Sequence, residues 1–187
     1  MREVFQSELL EVQERLVDIS RSVVTILEKA TEAFLTNNVS QADQALEISD
    51  ANEDKALALD ELVIKILARQ SPVARDLRVL VSALRISASL ERMGALACHL
   101  ASIARYRFPG SAVPDSLRKT FEEMSALDIQ LAKKLTEVLQ NADVDLARAI
   151  QAEDERVDEL HRSVFEVVLS DSWKENAMFT VDVTLAS

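Results

Sequence analysis

The chain reads as an all-α protein of two tandem three-helix bundles, the second of them incomplete. Three observations lead there. Two glycines and three prolines among 187 residues leave too little punctuation for the turns a sheet needs. Apolar residues recur at alternating spacings of three and four, the helical period. The order long helix, acidic helix, apolar helix also occurs twice, and Leu59-Asp60-Glu61-Leu62 is echoed by Val157-Asp158-Glu159-Leu160.

The first helix is expected from about Arg2 to Asn37. Phe5, Leu9, Val12, Leu16, Ile19, Val23, Ile26 and Ala30 form its apolar stripe. The second is expected from Ser40 to about Gln70, with Asp43 completing a weak capping box. Leu46, Leu57, Ile64 and Leu67 are among its apolar positions. The third is expected to open at Ser71-Pro72 and to close at Pro109-Gly110. Serine caps a free N–H there, and proline's fixed φ suits the first helical position. Its seam is Leu77, Val81, Leu84, Ala88, Glu91, Ala95, Cys98 and Ser102. Glu91 is the anomaly in that seam. If buried it must be paired, protonated or bound to a cation.

Gly110-Ser-Ala-Val-Pro114 is the longest break and divides residues 1–110 from 111–187. A fourth helix is expected from Asp115 to Gln140, and a fifth from an Asp143 cap to about Ser170. A last apolar segment begins near Asn176. Its shortness beside the third helix predicts an unfinished second bundle.

Composition excludes several functions. Lys+Arg 21 against Asp+Glu 32 gives a net charge of −11, which repels nucleic acid. Two glycines cannot build a phosphate-cradling loop. Cys98 is the single cysteine, so no intrachain disulfide forms and a reducing cytosol suits the chain. No apolar run reaches the length of a membrane span, about 18 residues. The first turns lack the apolar block of a secretion signal.

Asp154, Asp158 and His161 are spaced by four and three, which places them on one face of the fifth helix. Phe165 continues that stripe, so the face is expected to point inward. Two carboxylates one turn apart repel, and a hard oxygen-seeking cation would relieve this. The competing reading is a solvated acidic face. A ferritin-like di-iron enzyme needs Glu-x-x-His on two helices; the chain offers only Asp158-x-x-His161. Arg78, Arg85 and Arg92 stand at successive sevens on the third helix, with Arg75 nearby. They are expected either to pair with acids of the second helix or to form a docking strip for an acidic partner.

Ser71-Pro-Val-Ala-Arg-Asp-Leu-Arg78, followed by Leu90-Glu-Arg-Met-Gly94, resembles the PhoU family of bacterial phosphate-signalling regulators. The likeness runs through nearly the whole chain. Met93-Gly94-Ala95, Trp173 and Val181-Asp-Val-Thr-Leu185 resemble the actinobacterial branch, often called PhoY. The resemblance implies two three-helix bundles and no catalysis. It implies a cytoplasmic protein, homodimeric, at the inner face of the membrane. There it would link a phosphate ABC transporter's ATPase subunit, PstB-like, to a sensor histidine kinase, PhoR-like. It would hold the phosphate-starvation response off when phosphate is plentiful. Arg78, Arg85 and Arg92 are the partner-binding candidates.

The resemblance also implies metal sites. Asp60 and Glu91 match the family's metal positions in the first repeat, but their partners are Ala56 and Ala95. Asp154 and Asp158 both match in the second. The expected cofactor is a divalent or trivalent metal (Fe, Mn, Mg or Zn) in the second repeat, or none. The alternative function is a metal-carboxylate binding protein or enzyme in a helical bundle.

Overall fold

A computed structural model describes residues 2–187. In order, the helices are α1 (Arg2–Thr36), α2 (Val39–Gln70), α3 (Ala74–Arg107), α4 (Arg118–Asn141), α5 (Val144–Val168) and α6 (Ala177–Ala186). No strand occurs among the described residues. α1, α2 and α3 pack on one another, α4 lies along α1, and α5 lies along α4. α6 touches α3 and α5.

α1 is therefore shared by both halves. Its apolar stripe is buried as expected, with Val12, Leu16, Ile19, Val23, Ile26 and Ala30 all inside. α4 seals against it through a buried hydrogen bond of 2.7 Å between Ser20 Oγ and Thr136 Oγ1. Gln13 Nε2 donates to the Leu139 carbonyl at 3.0 Å near the end of α4. At the far end of α1, Phe34 meets Phe121 of α4 edge to face, with centroids 5.2 Å apart. Ala112, Val113 and Leu117 of the connection between halves are buried in the same cluster. Asn37 Oδ1 accepts from the Ala112 N–H at 2.9 Å, and Arg118 Nη1 donates to the Leu35 carbonyl at 3.0 Å. The Gly110–Pro114 break is thus a packed strap across the end of α1.

Several boundaries differ from expectation. α2 starts one residue before Ser40, because Asn38 Oδ1 accepts from Gln41 N–H and supplies the cap. Ser71 is not the cap of α3. It ends α2 in the left-handed region, at φ 44°. Pro72 follows because it cannot continue a helix, and α3 opens only at Ala74. α4 opens at Arg118, after a turn over residues 115–117. Asp143 and Asn176 do cap α5 and α6, accepting from Leu146 and Phe179 N–H, both at 2.9 Å.

The face of α3 is the main correction. Its core-facing line is Leu80, Ala83, Ser87, Leu90, Gly94, Ala97, Ala101 and Ala104. The expected seam lies to one side of it, with Leu77, Val81, Ala88, Glu91 and Ala95 exposed. The buried line carries no charge, whereas the expected one would have buried Glu91. Gly94 on the buried line faces Ile26, where an added Cβ would stand 3.4 Å from Cδ1, an ordinary contact. α2 is rotated in the same sense: Leu57 and Ile64 are exposed, while Ala45, Ala56, Leu59 and Val63 are buried.

Ala142 ends α4 at φ 53°, a region that costs an alanine roughly 1 kcal/mol. It is exposed. Ala142→Gly is expected to raise stability by about 0.5–1 kcal/mol, measurable as a higher urea midpoint with an unchanged slope.

Candidate functional site

Each expected metal position is set by its helix face. Asp154 and Asp158 lie on the exposed side of α5, because Leu160, Val164 and Val168 take the inward line. The expectation that Asp154, Asp158 and Phe165 point inward is therefore corrected; Phe165 is 37% exposed. His161 is half-buried, and its Nδ1 lies 2.9 Å from the Ser187 carbonyl oxygen. Glu91 is exposed on α3, which removes the difficulty of a buried carboxylate there. Asp60 is half-buried on α2. Burial pushes its carboxyl above the ordinary carboxylate value, and its Oδ1 has no hydrogen-bond partner. Among the described residues no three His, Cys, Asp or Glu side chains converge as a metal site requires. The donors present do not form a ready-made cage.

One carboxyl was not foreseen. Burial, and then the charge of Asp154 on the neighbouring helix, push Asp128 of α4 up to about 6. The clue was available: Asp128 stands seven residues after the buried Phe121, on an otherwise apolar stripe. The folded state holds this proton more tightly than the unfolded chain does. Stability therefore falls as pH rises from about 4 to 6. Asp128→Asn is expected to flatten that slope. Above pH 6.5 it is expected to be more stable than the parent by about 2 kcal/mol, after discounting for partial exposure. Urea denaturation in a chelating buffer at pH 4 and pH 7.5 checks this; equal differences at the two pH values would count against it.

The arginines fare differently. Arg78, Arg85 and Arg92 are exposed on the side of α3 away from the core. Among the described residues none has an ion-pair partner. The acids of α2 are engaged elsewhere or face solvent: Asp43 holds Arg105 at 3.1 Å, and Glu61 meets Lys65 at 3.4 Å. The stripe is therefore open.

A buried charge pair joins the halves at the far end of α3. Arg107 Nε donates to Asp182 Oδ2 at 2.7 Å, and Tyr106 Oη donates to the other oxygen. The Arg107 guanidinium also stacks 4.4 Å from the centroid of Phe179. Asp182 is only 5% exposed. It is the single charge in Ala-Met-Phe-Thr-Val-Asp-Val-Thr-Leu-Ala, a position that demands a partner. Among the described residues, no helix is long and apolar enough to cross a membrane.

Comparisons with known proteins agree with this geometry. The PhoU domain family matches residues 16–104 and again 121–186, one match to each half. The phosphate-specific transport system accessory protein PhoU homolog 2 of Mycobacterium tuberculosis is 36% identical over 187 residues. The match covers 100% of this chain and 88% of that one. PhoU homolog 1 of Mycobacterium leprae is 35% identical, over 99% of this chain and 83% of the relative. The crystal structure of PhoU from Pseudomonas aeruginosa superposes with a TM-score of 0.86 at 23% identity, covering 97% of this chain and 88% of that one. With six helices in the same fold, and a family match to each half of the chain, this protein belongs to the PhoU family.

Proposed function

We propose that the protein is an accessory regulator of phosphate-specific transport, acting by contact and not by catalysis. In this reading it links the ATPase subunit of a phosphate ABC transporter to a sensor histidine kinase, and it holds the phosphate-starvation response off. The observation that carries the reading is the pair of PhoU matches, with relatives named as phosphate-specific transport accessory proteins at 31–36% identity. The unpaired arginines of α3 support it, since an adaptor needs an open face with a definite charge. The protein sits at the inner face of the membrane, held there by its partners, and works as a homodimer.

The test is co-purification of the whole chain with the transporter ATPase and with the kinase. Both are expected to be retained. Retention of neither would overturn the reading. Light scattering giving the mass of one chain would remove the homodimer.

A second reading is metal binding from Asp154 and Asp158, with Asp60 and Glu91 as the weaker positions. Its support is the repulsion Asp128 feels from Asp154, which a cation would relieve. Elemental analysis after incubation with Fe²⁺ or Mn²⁺ decides it. A content near zero per chain ends it.

A further inference from the structure

Beside its core-facing line, α3 carries a second line with the same spacing, which the core uses only at Leu84 and Cys98. The rest of it is open to solvent. Leu77 and Val81 on it are 40% and 37% exposed, Ala88 and Ala95 are exposed, and Leu84 is half-buried. Val81, Ala88 and Ala95 repeat at sevens, and so do Leu77, Leu84 and Glu91. Apart from Glu91, that is the two-position heptad by which one helix grips another. Arg78, Arg85 and Arg92 repeat in the same register at the flank of the line. Flank positions are where paired helices read each other's charge. On α2 and α3, the arginines that do find acids, Arg69, Arg105 and Arg107, lie beyond both ends of the stripe.

We propose that this outward line of α3 docks an amphipathic helix of a partner protein, one with an apolar heptad ridge and carboxylates along its flank. It rests on the adaptor reading for which partner supplies that helix. Charge disfavours a second copy, since two chains meeting symmetrically on this face would set arginine against arginine. A phosphate-bearing surface offers anions but no apolar ridge to cover Leu77 and Val81. Ala88 and Ala95 are small enough to let a second helix axis come close. Successive arginines stand about 10 Å apart along the helix, so a partner with acids every seventh residue meets each in turn.

The experiment uses the whole chain and two synthetic helical peptides. Both carry leucine on the heptad ridge; one has glutamate at the flanks and the other lysine. The glutamate peptide is expected to bind, more weakly at high salt. The triple variant Arg78→Glu, Arg85→Glu, Arg92→Glu is expected to weaken it by about tenfold or more and to bind the lysine peptide instead. The single variant Arg85→Gln, with helicity checked by circular dichroism, guards against a folding defect and is expected to weaken binding in the same direction. Equal binding of the two peptides would overturn the proposal. So would indifference to the triple variant, or arginine-dependent binding to anionic lipid vesicles with no peptide binding. Failure of co-purification with both partners, with the glutamate peptide still bound, overturns the adaptor reading and leaves the docking face. Co-purification unchanged by the triple variant does the reverse.

Discussion

Asp182→Ala will undock α6. The substitution leaves the Arg107 guanidinium, whose side chain is only 18% exposed, without its carboxylate. Removing one partner of a buried pair costs about 3–5 kcal/mol, most of it the cost of stranding the other charge. α6 is only ten residues long and touches α3 and α5; its remaining anchors are Phe179 and Val183 in the Phe34 cluster and the Trp173 hydrogen bond to Thr180. The loss is therefore local. Amide exchange over residues 177–186 is expected to quicken by about two orders of magnitude, while α1 and α2 keep their protection. The double variant Arg107→Leu, Asp182→Leu is expected to recover most of the loss, since an apolar pair of similar volume can replace a buried ionic one. Unchanged exchange in Asp182→Ala would show that the Phe179 and Val183 contacts hold the helix by themselves.

Phe34→Ala is expected to cost about 3–5 kcal/mol, as large-to-small changes of buried aromatics do. The effect will be global, because Phe34 is where three parts of the molecule meet. It is 1% exposed, stands edge to face with Phe121 of α4, and shares a cluster with Ile103 of α3 and Val113 of the connecting strap. Edge-to-face pairs add about 0.5–1.5 kcal/mol beyond area burial. Phe108→Ala is the control, being 59% exposed and expected to change stability by less than about 0.5 kcal/mol. Urea denaturation monitored by circular dichroism gives both numbers. A loss below about 1 kcal/mol at Phe34 would mean that the strap collapses into the vacated space.

Helix order was legible because periodicity and turn residues agree along most of the chain. α1 was read correctly down to its face, since only one line on it is apolar throughout. α3 was not, because it has two lines of the same spacing; the carboxylate of Glu91 was the mark against the outer one, and the inner line carries no charge. Ser71-Pro72 was misread for a related reason. Serine and proline sit equally well at the end of one helix and the start of the next, and the left-handed φ of Ser71 is not visible in the letters. Asp128 and Asp182 were legible as misplaced charges on apolar stripes, but not in their partners. Arg107 lies 75 residues from Asp182, and Asp154 sits on a different helix from Asp128. The arginine stripe was legible as a pattern; that it is unpaired was not, because the acids of α2 turn out to serve other bases.

α1 belongs to both halves at once, and this has a mechanical consequence. Two bodies joined by a flexible tether can reorient; two bodies built around one common rod cannot. With α4 laid along α1 and α5 along α4, the α3 flank belongs to the same continuous frame as the second half, and stiffening the strap at Gly110 should leave that frame unaltered.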